Sequence, residues 1–236
     1  TQRDLLKKLA KTGKPLVLVL FTGRPLVLDW ESVNIPSILN VWFGGSEAAD
    51  AIVDVLFGDS SPEGKLTTTF PRSVGQIPLY YNHLMTSHPD PEEGLFNRYC
   101  SNYIDCSNEP LYPFGYGMSY TQFEYGIPSL SGDVMEKDGE LTLTVDVRNI
   151  GERDGVEIVQ MYLRDPVATI ARPLKELKDF VRVHIPAGET RKVRFTITPD
   201  KLKYYNANLE FAYEPGEFHV MVGSDSERVH TLKFTA

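Results

Sequence analysis

Asn97, Arg98, Tyr99 and Tyr103 place amide, guanidinium and phenol groups beside flat rings within seven residues. That mixture suits a polyhydroxylated ring. Hydroxyls need donors and acceptors, while the C–H face needs an aromatic surface. The competing reading is that this stretch is a linker packed across a domain junction. Cys100 and Cys106 lie in the same stretch, six positions apart. A disulfide between them is feasible if their Cα atoms come within about 7 Å, and two free thiols are the alternative. Only the bridged form would point to an oxidising compartment.

Other chemistries find less support. His83, His88, His184, His219 and His230 are scattered without ligand spacing, and one local cysteine pair falls short of the four ligands of structural zinc. No metal or other cofactor is therefore expected. Gly13 to Gly23 is not a phosphate loop, and no Gly-x-Ser-x-Gly elbow supports a Ser-His-Asp triad. Glu47 follows Gly44-Gly45-Ser46 at a predicted helix start, where a carboxylate favours the positive end of the helix dipole. Asp59 and Glu63 flank Ser60-Ser61-Pro62 and read as a solvated turn.

The elements that must carry these residues fall into two regions. The chain has 236 residues, enough for one large or two modest domains. A hydrophobic fraction of 42% with 11% aromatics supports a packed core and excludes general disorder. The net charge of -8 repels phosphate backbones, which disfavours nucleic acid as a partner. No apolar run approaches the ~20 residues of a membrane helix, so no membrane partner is expected. The chain opens on Thr1-Gln2-Arg3-Asp4, which reads as a cut inside a longer protein, with a mature end after signal cleavage as the rival.

In the first region Gln2 to Lys11 spaces Leu5, Leu6 and Leu9 as a helix, stopped by Thr12-Gly13-Lys14-Pro15. The run Leu16 to Phe21 suits a strand covered on both faces. Pro25 to Leu28, Ser37 to Phe43 and Leu66 to Phe70 are further strand candidates. Ala48 to Phe57 reads as a helix capped by Ser46 and ended by Gly58. This order implies an α/β sheet. Residues 71–118 are loop-like but rich in aromatics. From Ser119 the pattern becomes all-β. Leu141 to Val147 alternates, as do Val193, Phe195, Ile197 and Phe218, Val220, Val222. Roughly seven strands at this spacing predict an immunoglobulin-like β-sandwich. No row of exposed aromatics alternates along one strand, which argues against a polysaccharide-binding sandwich.

Seven segments then act together. They are Gly13–Leu26 (GKPLVLVLFTGRPL), Trp42–Asp59 (WFGGSEAADAIVDVLFGD), Gly64–Pro78 (GKLTTTFPRSVGQIP), Leu111–Phe123 (LYPFGYGMSYTQF), Asn149–Gly155 (NIGERDG), Val159–Leu163 (VQMYL) and Arg172–Lys178 (RPLKELK). In this order, and over essentially the whole chain, they resemble the C-terminal part of glycoside hydrolase family 3, in particular its bacterial periplasmic β-glucosidases.

The resemblance implies an α+β chain in two regions. Residues 1–85 would be the second half of a partial α/β (αβα) sandwich domain, 86–118 an aromatic linker, and 119–236 a fibronectin type III-like sandwich. It implies retaining hydrolysis of terminal β-D-glucosyl residues by two carboxylates. Both belong upstream of Thr1, on a missing barrel and the segment after it, so no catalytic residue is expected in this chain. β-Xylosidase or N-acetylglucosaminidase activity, or a carbohydrate-binding or cell-wall-anchoring module, are the alternatives. Asp29-Trp30 is similar to the family's nucleophile motif but stands in the wrong context, and reads as a surface turn. A Tyr-x-x-x-Tyr-x-Asp segment of the family matches Tyr99, Tyr103 and Asp105, with departures at Asn102 and at both cysteines. Gly115 and Gly117 would permit tight bends, with Tyr112, Phe114 and Tyr116 as anchors. A periplasmic or secreted location follows. Without its missing strands the α/β part should expose apolar surface, leading to a homodimer or to disorder of the first ~80 residues.

Overall fold

The computed structural model describes residues 1–86 and 99–236, which divide into two units. The first unit comprises residues 1–60, 69–79 and 103–112. It opens on α1 (Gln2–Ala10), with the predicted leucine spacing. Thr1 and Asp4 form a reciprocal capping box, the Thr1 hydroxyl accepting from the Asp4 amide at 3.2 Å. β1 (Val17–Leu20), α2 (Asp29–Asn34) and β2 (Ser37–Asn40) follow. The two strands pair in parallel, Val17 opposite Ser37 and Leu20 opposite Asn40. α3 (Ala48–Phe57) ends at Gly58, whose φ of 83° closes the helix in the left-handed region.

Three local expectations are corrected. Pro25 to Leu28 is not a strand. It leads irregularly into α2, a six-residue helix whose cap position, Leu28, makes no side-chain bond. Leu66 to Phe70 is not a strand either. Phe70 forms one isolated bridge with Tyr112, while Leu66 exchanges backbone bonds with Gly115 and Tyr116 in the second unit. Ser46 is not the cap of α3; Glu47 takes that position without a side-chain bond.

Arg3 fastens α1 to α2. Its guanidinium grips buried Glu31 through two bonds of 2.7 and 2.9 Å and donates to the Val27 carbonyl at 2.8 Å. Yet only Leu28, Ile35, Phe70 and Pro71 are buried among the described apolar side chains of this unit. Phe43 and Phe57 remain 85% and 80% exposed. A two-stranded parallel sheet cannot cover itself, because its strands are apolar on both faces. The unit's helices and strands lie between Gln2 and Phe57, followed by one short 3₁₀ turn, Val74–Gln76.

The second unit comprises residues 61–68, the described part of 80–102, and 113–236. Its strands are β3 (Phe123–Tyr125), β4 (Ser129–Leu130), β5 (Leu141–Asn149), β6 (Gly155–Arg164), β7 (Glu176–Ile185) and β8 (Thr190–Ile197). After the short helix α4 (Pro199–Leu202) come β9 (Tyr204–Tyr205), β10 (Phe211–Ala212), β11 (Glu217–Gly223) and β12 (Val229–Thr235). One sheet runs β12-β11-β6-β7; in the other, β5 pairs with β3, β4 and β8, and all these pairs are antiparallel. The alternating residues of β5, β8 and β11 form the core between them, as expected of a sandwich.

Polar motifs close this unit. Asn149 is fully buried and uses all its amide valences. Its Oδ1 accepts from Thr121 Oγ1 and the Gly151 amide, and its Nδ2 donates to the carbonyls of Arg153 and Ile185. Residues 61–68 and 113–121 lie on the sandwich as a strap. Gln160 Nε2 donates to the carbonyls of Gly115 (3.1 Å) and Ser224 (2.6 Å), and Tyr162 donates its hydroxyl to Gln160 Oε1. Phe114 stacks on Tyr81 at 4.2 Å, and the Arg228 guanidinium lies 5.1 Å over the Tyr116 ring. Tyr112, by contrast, packs on Phe70 in the first unit. Lys65 Nζ reaches both oxygens of buried Glu157, at 3.2 and 3.3 Å, and Tyr125 donates to the same carboxylate at 2.9 Å.

Two outcomes follow from this strap. Gly115 has φ +81, and an added Cβ would stand 2.1 Å from Gln160 Oε1. Gly115→Ala should cost roughly 2–4 kcal/mol, from backbone strain plus overpacking, read as a lower urea midpoint. Burial is the largest influence on the Glu157 carboxyl and raises its pKa above 4.5, with Lys65 partly opposing. The folded state then binds more protons than the unfolded one, so this group's contribution falls as pH rises from about 4.5 through the raised value. Lys65→Met leaves that carboxylate uncompensated and should cost about 3–5 kcal/mol at neutral pH. The loss should shrink on acidification as Glu157 takes up a proton, which urea titrations at several pH values will measure.

Candidate functional site

In the first unit the loops after β1 and β2 leave the carboxyl ends of the parallel strands, where open α/β sheets place their ligands. The loops touch: a Cβ on Gly23 would lie 2.7 Å from the ring of the exposed Phe43. Trp42 has φ +49, a strained backbone for a bulky residue. Its ring lies 5.9 Å from Phe70, which packs on Tyr112 at 6.2 Å. Asn40, the last residue of β2, has both amide atoms buried without a hydrogen-bond partner. Glu47, exposed at the start of α3, forms no cap bond.

A second group holds the segment that carries Tyr103. The short 3₁₀ turn Val74–Gln76 buries Gln76 almost completely. Gln76 Oε1 accepts from the Arg72 amide at 2.6 Å, and its Nε2 donates to the carbonyls of Ser107 (2.9 Å) and Glu109 (3.4 Å). Arg72 Nε adds a bond to the Glu109 carbonyl at 3.0 Å. Tyr103 donates its hydroxyl to the Gln76 carbonyl at 3.2 Å, and its amide donates to Asn108 Oδ1 at 3.1 Å. The phenol hydroxyl is thus engaged, and Tyr103 as a residue is 36% exposed. Sequence reasoning gave Gln76 no role. The available signal was a polar side chain inside the Val74-Gly75-Gln76-Ile77-Pro78 turn.

The remaining candidates divide as follows. Tyr99 is 78% exposed and belongs to the second unit, whereas Tyr103 belongs to the first. Asn97 and Arg98 lie outside the described residues. Cys100 and Cys106 are unbridged in this structure, and Cys106 Sγ lies 4.0 Å from Ser73 Oγ. Asp29 stands exposed in the first turn of α2 rather than in a surface turn, and Lys7 sits 5.4 Å over the neighbouring Trp30 ring. Glu63 is paired with Arg182 at 2.6 Å, so it is not simply solvated. Among the described residues no group of three or more His, Cys, Asp and Glu could hold a metal. A groove of ≈ 580 Å³ in the second unit has Lys137, Lys203 and Tyr213 in its lining, with Asp138 as its one acidic side chain. It offers no carboxylate pair of the kind glycoside hydrolysis needs.

Two family models match the chain. Residues 1–120 match the glycosyl hydrolase family 3 C-terminal domain, and residues 157–226 match a fibronectin type III-like domain. The chain is 50% identical over 235 residues to a periplasmic β-glucosidase of Salmonella typhimurium, covering 99% of this chain and 30% of that protein. It is 43% identical to a β-xylosidase of Formosa agariphila, covering 96% of this chain and 30% of that protein. The crystal structure of a β-glucosidase from Listeria innocua in complex with isofagomine superposes with a TM-score of 0.93 at 43% identity, over 99% of this chain and 32% of that one. The chain therefore spans about a third of the length of these relatives. An α/β region followed by a fibronectin type III-like sandwich, matched end to end by such proteins, belongs to glycoside hydrolase family 3.

Proposed function

We propose that this chain is the C-terminal scaffold of a retaining β-glucosidase that hydrolyses terminal non-reducing β-D-glucosyl residues. The observation that carries the reading is the lopsided coverage: 99% of this chain against 30% of a β-glucosidase. Retaining hydrolysis needs one carboxylate to attack the anomeric carbon and a second to protonate the leaving oxygen, about 5–5.5 Å apart. In this reading both stand on polypeptide upstream of Thr1, and the chain alone is inactive. Its own residues support the site. The Gln76 carbonyl fixes the Tyr103 hydroxyl, and the Tyr99 to Asp105 segment, with Asn97 and Arg98, contributes sugar contacts. The location is periplasmic or secreted, in line with the name of the Salmonella typhimurium relative; no helix among the described residues is long and apolar enough to cross a membrane.

Nitrophenyl β-D-glucoside and β-D-xyloside test the reading. The purified 236-residue chain should give no turnover above the blank with either. The full-length parent should release nitrophenol and retain anomeric configuration, seen by proton NMR, with the glucoside faster. Turnover by the chain alone would refute the assignment of the catalytic pair, and a faster xyloside would shift the substrate to the xylosidase alternative. The exposed apolar side chains of the first unit, Phe43 and Phe57 among them, should also make the isolated chain self-associate. Light scattering should report a mass above the monomer, and a strict monomer at all concentrations would count against that expectation.

A further inference from the structure

Away from the two sheets, β9 and β10 form a small hairpin whose shape is fixed by one side chain. Asn206 Oδ1 accepts from the Asn208 and Glu210 amides, at 2.9 and 3.0 Å, and its Nδ2 donates to the Glu210 carboxylate at 3.1 Å. Backbone bonds from Leu209 to the Asn206 carbonyl and from Asn206 to the Glu210 carbonyl complete the tip. Leu209 itself holds φ +63.

Below the tip, Phe211 stands directly opposite Tyr205 across the pair. Residues in that relation share one face. Their ring centroids are 5.0 Å apart with a 42° tilt, and the side chains are 64% (Tyr205) and 54% (Phe211) exposed. The opposite face is the buried one: Tyr204 lies there under the Arg172 guanidinium at 4.2 Å. Tyr205 and Phe211 are therefore not needed to anchor the hairpin, and no described aromatic contact covers them.

We propose that this hairpin is a binding platform for neutral β-linked glucan, stacked on Tyr205 and Phe211; the sugar class rests on the proposed function. The electron-rich ring faces attract the polarised C–H groups of a pyranose. Asn208 at the tip and Tyr205 are both exposed, so their polar side-chain groups are open to solvent. Residues 204–212 contain no Lys or Arg, and Glu210 is held by Asn206, so the hairpin itself supplies no cation for an acidic polysaccharide or a phosphate. Size separates a sugar from a protein partner. Two aromatic side chains exposed to this degree offer roughly 200–300 Å², well short of the about 800 Å² per partner of a stable protein interface. The locked tip means that little conformational freedom is lost on binding.

Affinity electrophoresis of the 236-residue chain in gels containing laminarin or soluble β-glucan tests this. The chain should be retarded, and Tyr205→Ala with Phe211→Ala should abolish the retardation, raising the apparent dissociation constant at least tenfold. Because both side chains are exposed, the urea midpoint of the double variant should stay unchanged. No retardation, or retardation that persists in the double variant, overturns the proposal. So does a variant that merely loses concentration-dependent association, which would make the occupant a second copy of the chain. Hydrolysis of nitrophenyl β-glucoside by the full-length parent carrying the same two substitutions should be unaltered. Normal hydrolysis without glucan retention sinks the platform and leaves the enzyme reading intact, while retention by a parent that cannot hydrolyse does the reverse.

Discussion

A carboxylate buried on β6 is the constraint around which the second unit is organised. Glu157 cannot stay ionised in an apolar setting without a cation, and Lys65, 92 positions earlier, supplies it. That requirement brings residues 61–68 onto a sandwich they do not belong to by sequence pattern. Once there, Leu66 trades backbone bonds with Gly115 and Tyr116, and Gly115 is pressed so close to Gln160 that a methyl group has no room. The buried polar groups Glu157, Gln160, Tyr162 and Asn149 each find partners, which is what makes burying them tolerable. β6 is consequently covered along nearly its whole length, unlike β5, which alternates between core and surface or partly covered positions.

The first unit obeys a different rule. Its polar ties are good: the Arg3–Glu31 fork and the Gln76 hub are short and well partnered. What it lacks is apolar cover, since a two-stranded parallel sheet presents apolar residues to both sides. The strained Trp42 and the unpaired Asn40 gather at the carboxyl end of that sheet. Such concentrations of strain and unmet polarity mark places where function or a further partner completes the structure.

Legibility in the sequence tracked how local the cause was. β5 and β8 are written as alternation and were readable, because each residue's burial depends on which face it points to; β11 showed its core residues Phe218, Val220 and Val222, although Met221 on its other face is buried too. α1 and α3 were readable from leucine and alanine spacing and from Gly58. α2 was not, being six residues long with Leu28 at its cap and no capping side chain. Leu66 to Phe70 alternates like a strand, yet its partners are irregular backbone far along the chain. Of the candidate sugar contacts, the residue types were visible, but the division of Tyr99 and Tyr103 between two units was not. The facing of Tyr205 and Phe211 was hidden for a similar reason. They sit on separate strands, so a search for aromatics alternating along one strand passes over them.

The strap also sets a timetable. At about 5–20 residues per second, a ribosome needs roughly 5–20 s to go from Lys65 to Glu157. Until β6 emerges, that lysine and its neighbours have nowhere to dock, and the Glu63 contact waits longer still, for Arg182, 119 positions away. The nascent strap must therefore stay uncommitted while the sandwich is being made, and its seating is among the late events of the chain's birth.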